Sequence, residues 1–191
     1  MPGFECINHE EAEAVSKVFQ EGGVLFAHGF DNRRKKYHVR EFEAEASSFF
    51  KSKYCLAVSS GTAAIKCALK ALGVKKGDEV ITQGFNFIAT IEAIIDCGAI
   101  PIICNIDKNL HLDINDCQSK ITKNTKAIIC VHMLGMGGPV KELQVLSKKY
   151  QIPVIEDACE AVGAKHENEF FGTLFDVGVF SFDHGKNITC G

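Results

Sequence analysis

The sequence predicts an α/β protein, a three-layer sandwich with a mostly parallel central sheet between helices. Three observations carry that prediction. From Tyr54 onward, short continuous apolar runs alternate with segments of helical period. The runs are apolar throughout rather than alternating, as in parallel strands covered on both faces. Gly73 and Gly98 each stand where a helical segment should stop. Two parts follow: residues 1–53, an N-terminal helical segment and loop, and residues 54–191, the sheet-forming unit.

Taken in order, residues 8–21 read as an amphipathic helix closed by Gly22 and Gly23. Residues 22–38 are glycine-rich, then basic, and read as loop. Residues 39–51 carry Val39, Phe42, Ala46, Phe49 and Phe50 at helical spacing. "YCLAVSS" is expected to be the first strand and "GTAAIKCALKALG" its helix. "DEVITQG" and "FIATIEAIIDCG" form the next strand and helix, and "IPIICNID" and "DINDCQSKI" the third pair. "TKAIICVHM" and "VKELQVLSKKY" make the fourth. "IPVIEDA" is a strand and, after a glycine-rich loop, "DVGVFSFD" is another.

Composition narrows the function. The chain has 191 residues, 46% hydrophobic and 24% charged, enough for one domain with a real core. A net charge of −3 argues against a nucleic-acid surface or a polybasic membrane anchor. The basic run Arg33-Arg34-Lys35-Lys36 is short and reads as a solvated loop. Nine cysteines, none in a C-x-x-C pair, exclude zinc-ribbon and thioredoxin readings and point to a reducing compartment. The acidic N-terminus has no apolar core, and no apolar run approaches the ~20 residues of a bilayer span. The expected location is the cytoplasm.

Sites in open α/β sheets lie at the carboxyl ends of the strands. The run "SSGTAAIK" places Ser59, Ser60, Gly61 and Thr62 at a helix start, either an ordinary serine cap or an anion site. It is neither a P-loop nor a dinucleotide fingerprint. Phe85 and Phe87 follow the next strand, as core residues or as an aromatic face for a flat ligand. Asp157 ends an apolar strand beside Glu156. It could cap a helix, bind a metal or pair with a cationic ring nitrogen, and Glu160 follows three residues on. The last strand delivers Ser181, Asp183, His184 and Lys186. Lys186 is either a surface lysine or an amine nucleophile of the Schiff-base type. His132 reads as a satisfied strand-end histidine. An anion site, an aromatic face, a carboxylate and a lysine on one sheet end form the set that pyridoxal 5′-phosphate (PLP) requires.

The segments "REFEAEASSFF", "AVSSGTAAIKCALKALGVKKGDEVIT", "FNFIATIEAIIDCGAIPIICNID", "PVIEDACEAVGA" and "FGTLFDVGVFSFDHGKNIT" resemble the PLP-dependent sugar aminotransferases of fold type I, the DegT/StrS group. The resemblance runs from about Ala12 to the last residue. It implies the large, cofactor-binding domain of that fold, with Lys186 as the amine that binds the cofactor aldehyde and then shuttles a proton. It implies Asp157 on the pyridine nitrogen, Gly61, Thr62, Ala63 and Ser181 around the phosphate, and Phe87 on the ring. Glu160 stands where the family usually has Gln, near the phenolic oxygen, so a carboxylate there must be protonated or turned away. Lys186 excludes the family's dehydratases, which carry His at that position.

The implied reaction moves an amino group, from glutamate, to a keto sugar in polysaccharide or glycoside biosynthesis. Both substrates are small molecules, with no nucleic acid, membrane or metal involved. "MPGFE", "GFD" and "SFDHGKNIT" are similar to enzymes that aminate an eight-carbon keto-deoxy sugar acid. The family pattern continues T-G-E-G-G after "NIT", whereas this chain ends "NITCG", so a smaller C-terminal domain is expected to be missing and the longer protein to be a homodimer. Two other readings remain: a PLP-binding fragment that keeps the fold without turnover, and a nucleotide-sugar oxidoreductase, which lacks its fingerprint here.

Overall fold

A computed structural model describes residues 3–21 and 36–190. After a 3-10 turn at Gly3–Cys6 comes helix α1, His9–Gln20. Asn8 caps it: its side chain accepts the Glu10 N–H at 2.9 Å, and the Glu11 carboxylate accepts the Asn8 N–H at 2.8 Å. The stretch read as loop over 22–38 lies mostly outside the described residues, as do Phe30, Arg33, Arg34 and Lys35. Helix α2, His38–Phe50, stops at Lys51, whose φ of +56° cannot continue a right-handed helix.

Helix α3 spans Gly61–Ala71, strand β1 Glu79–Gln83, helix α4 Ile88–Asp96 and strand β2 Ile100–Cys104. Helix α5 is Ile114–Ser119, strand β3 Thr125–Val131, helix α6 Val140–Tyr150 and strand β4 Val154–Asp157. The short strands β5, Lys165–His166, and β6, Glu169–Phe170, pair antiparallel, and β7 is Val177–Val179. Strands β1 to β4 and β7 form one fully parallel sheet in the order β2-β1-β3-β4-β7. The fold class read from the sequence is therefore the one observed.

Strand periodicity divides the core in two. Val80, Ala127, Ile129, Val131, Ile155 and Val179 face α3 and α4, where they meet Ile65, Leu69, Ala93 and Ile94. Ile81, Ile128, Cys130 and Val154 face α5 and α6, where they meet Cys117, Leu143 and Leu146. The chain lays β2 on one side of β1 and β3 on the other, a reversal that opens a crevice at the carboxyl ends of the strands.

Two expectations are corrected. "YCLAVSS" forms no strand, and Tyr54 is 79% exposed. A strand needs a neighbour to take its backbone groups. Residues 54–60 have none among those described, and the Ala57 N–H goes instead to the Glu43 carboxylate at 2.8 Å. "DVGVFSFD" contributes only Val177–Val179 to the sheet, because β4 is its sole partner and ends at Asp157. The hairpin β5–β6, inside the segment read as loop, was not expected.

Leu143 is fully buried under the sheet. Leu143→Ala is expected to lower stability by about 2–5 kcal/mol in urea unfolding, with the slope unchanged.

Candidate active site

The site grows from the carboxyl end of β4. Period two sends Ile155 and Asp157 toward α3 and α4, and Val154 and Glu156 toward α5 and α6. The two adjacent acids therefore serve opposite faces.

Glu156 is fully buried. Its carboxylate accepts the N–H groups of Gly172 at 2.9 Å, Leu174 at 2.7 Å and Phe175 at 3.2 Å. His132 Nε2 lies 3.0 Å from the same carboxylate, and His132 Nδ1 accepts the Gly138 N–H at 3.1 Å. Since Nδ1 accepts, Nε2 carries the proton and donates to Glu156. His132 is thus a satisfied strand-end histidine. Glu156 pins the loop that leads into β7 and the turn after β3.

Asp157 is 4% exposed. Thr90, in the first turn of α4, donates its hydroxyl at 2.8 Å, and the Cys159 N–H approaches at 3.2 Å. Burial, then the neighbouring Asp157 carboxylate, pushes the Cys159 thiol far up, so it stays neutral. The Asp157 carboxylate thus takes hydrogen bonds from two neutral donors, one a hydroxyl and one a backbone N–H.

Lys186 follows β7. Its N–H bonds the Asp183 carbonyl at 2.9 Å, and its carbonyl accepts the Gly3 N–H at 2.6 Å. Its side chain is 16% exposed, with Nζ 5.5 Å from the centre of the Phe87 ring and 3.6 Å from Glu160 Oε1. Phe87 immediately precedes α4 and keeps 58% of its surface exposed. Glu160 Oε2 accepts the Leu134 N–H at 2.9 Å, which turns one oxygen away from the lysine. Leu134, Glu160, Gly185, Lys186 and Asn187 line an open cleft of about 390 Å³. Asp183 sits outside it, held below the usual carboxylate range by the Gly185 N–H and by His184.

At the start of α3, the Ser60 hydroxyl accepts the Ala63 N–H at 3.1 Å, so that donor belongs to the cap. The N–H groups of Gly61 and Thr62 have no hydrogen-bond partner among the described residues. A Cβ on Gly61 would lie 3.0 Å from Cβ of Ser181 and 3.1 Å from Cys159 Sγ, so glycine is what lets the helix start reach buried Ser181. Sequence reasoning gave no role to Thr90, Glu156 or the Leu134 N–H. A threonine in the first turn after a strand was the only visible signal for Thr90.

Helix-start donors, an exposed aromatic ring, a buried carboxylate and an amine thus lie around the carboxyl ends of one parallel sheet. The chain belongs to the DegT/DnrJ/EryC1/StrS aminotransferase family, whose model matches residues 5–191. It is 38% identical over 164 residues to a GDP-perosamine synthase of Vibrio cholerae, covering 85% of this chain and 44% of that protein. The solved aminotransferase of Psychrobacter cryohalolentis superposes with a TM-score of 0.88 at 32% identity, over 96% of this chain and 45% of its own. A candidate sugar aminotransferase of Streptococcus pneumoniae, in its PLP form, gives a TM-score of 0.86 at 26% identity, over 96% and 48%. The chain thus spans a little under half the length of these relatives.

The residues present fit PLP. Two unpaired N–H groups of an 11-residue helix beside the Ser181 hydroxyl suit a phosphate. The carboxylate of Asp157 suits a ring N–H⁺, and Phe87 offers a free face.

Removing the Glu156 carboxylate strands four donors in a dry interior. Glu156→Ala is expected to cost about 3–5 kcal/mol in denaturant unfolding, well above a typical surface substitution.

Proposed function

We propose that the protein carrying this chain is a PLP-dependent aminotransferase that moves an amino group from a small amino donor, glutamate, to the carbonyl of a nucleotide-linked keto sugar. One observation carries this reading. Lys186 and Asp157 follow or end adjacent paired strands, β7 and β4, with Phe87 reaching the same lysine from α4.

When bound, PLP supplies the electron sink for the carbanion formed at the substrate carbon. The remaining work falls to this chain. Gly61, Thr62 and Ser181 would hold the phosphate, with Ala63, whose N–H the Ser60 cap takes, shaping the turn. Asp157, oriented by Thr90, holds a proton on the ring nitrogen. Phe87 covers one face. Lys186 would hold the cofactor through Nζ and would move a proton at the substrate carbon. We take residues 54–191 as the cofactor-binding unit, with 1–53 as a helical segment ahead of it.

Similarity to a GDP-perosamine synthase supports a nucleotide-linked acceptor. The eight-carbon sugar acid rests on the short runs "MPGFE", "GFD" and "SFDHGKNIT" alone, and we give it second place. No helix among the described residues is long and apolar enough to cross a membrane. Nine free cysteines favour a reducing compartment, the cytoplasm. The family resemblance supports a homodimer.

Borohydride reduction of the PLP-treated protein is expected to leave a reduced cofactor label on Lys186, found by peptide mass spectrometry. Lys186→Ala should lose the label and amino transfer together. Asp157→Asn should keep the label and lose about two to three orders of magnitude in the rate of amino transfer, read as single turnovers with glutamate. An unlabelled Lys186 in the intact protein overturns the assignment.

A further inference from the structure

The cleft beside Lys186 holds one carboxylate that the reaction as outlined does not use. Glu160 is 27% exposed, so it is partly dried, and the attraction between it and a cation is stronger than at an open surface. Its aim is fixed from behind. Oε2 takes the Leu134 N–H, and Leu134 is held at φ +56°, ahead of Gly135 at φ +76°. A non-glycine residue in that region persists only where its surroundings hold it. Oε1 is then left facing Nζ of Lys186 at 3.6 Å. The other acids are assigned elsewhere: Asp157 to the ring nitrogen in the function proposed above, while Asp183 is held by His184 and Gly185.

The group that Oε1 faces is a primary ammonium. Amino transfer requires a second one at the same place. The donor nitrogen must replace the Lys186 nitrogen on a single carbon of the cofactor, so both nitrogens pass through the space around Nζ. We propose that Glu160 is the docking carboxylate for the ammonium of the amino donor. This rests on the function proposed above. In the exchange, the donor nitrogen forms its bond to the cofactor carbon and the Lys186 nitrogen leaves. The donor ammonium gives up two protons as its nitrogen takes the place of the lysine nitrogen, and both end on Lys186, which departs as an ammonium. Glu160 is the counter-ion before and after and is itself unchanged. The ligand class follows: a primary alkylammonium, favoured over an uncharged amine of the same size.

Two small amines test this on the full-length, PLP-loaded protein at neutral pH. Methylamine arrives charged, and methoxyamine arrives uncharged. Each displaces Lys186 from the cofactor, read as loss of the borohydride label on that residue. Glu160→Gln keeps an acceptor for the Leu134 N–H and removes the charge. It should raise the methylamine concentration for half-displacement about tenfold and leave methoxyamine unchanged, in line with the loss of a hydrogen bond to a charged group. In wild type, about 1 M salt should weaken methylamine alone. This second measurement stands even where the variant does not hold PLP. Equal effects on both amines, or none on methylamine, overturn the proposal and leave Glu160 as a tether for Lys186 only. No label on Lys186 of untreated wild type overturns the proposed function as well.

Discussion

The carboxyl end of the sheet is assembled around the buried carboxylate of Glu156. Four donors from two separate stretches of chain converge on it: His132 after β3, and Gly172, Leu174 and Phe175 before β7. A carboxylate out of water is expensive, and this one is tolerable because each oxygen is shared among well-placed N–H groups. The same bonds do positional work. The strand that delivers Lys186 is only three residues long, so sheet hydrogen bonds alone fix its approach weakly. Anchoring the loop just ahead of it sets where β7 begins. Anchoring His132 sets the turn that carries Leu134, and through Leu134 the orientation of Glu160.

That explains why two acids stand side by side in "IEDA". Strand alternation points them to opposite faces, so they interact with different partners instead of competing for one. Glu156 works on the α6 side as a strut. Asp157 stands on the α4 side, with Thr90 holding its rotamer, and in the function proposed here it is the group that meets the ligand. Two buried negative charges at neighbouring positions also shape what surrounds them. Burial first, and then both carboxylates, push the Cys130 thiol up to about 12. Cys130 and Cys159 are therefore kept neutral, packing as small apolar groups rather than adding charge.

Much of this was legible in the sequence, for reasons that can be named. The parallel strands β1 to β4 announce themselves because each contains an unbroken apolar run, VI, IPIIC, AIICV and VI, rather than an alternating one. Asp157 and Lys186 stand out because each breaks such a run, or follows one, with a charge. The "YCLAV" run misled because apolar content says that a segment wants burial, not that a neighbouring strand is there to pair with it. The β5–β6 hairpin escaped because its strands are two residues long, too short for an alternation to repeat. Thr90 and the Leu134 N–H escaped for a deeper reason. A threonine hydroxyl in a helix and a backbone amide in a turn carry no sequence signal for what they will meet, since their partners lie 67 and 26 residues away.

The site's chemistry then reduces to where charge is allowed to be free. At the helix start, the Ser60 cap takes the Ala63 donor and leaves those of Gly61 and Thr62, so the positive end of α3 is aimed rather than spread. Asp157 is bonded only by neutral donors, which orient it without cancelling its charge. Glu160 has one oxygen tied to a neutral N–H and the other facing an ammonium, so its charge also stays available. A purely structural pairing would saturate such groups, as Glu156 is saturated. The contrast within one short segment, 156 to 160, separates the acid that builds the sheet end from the two that the proposed function assigns to what enters it.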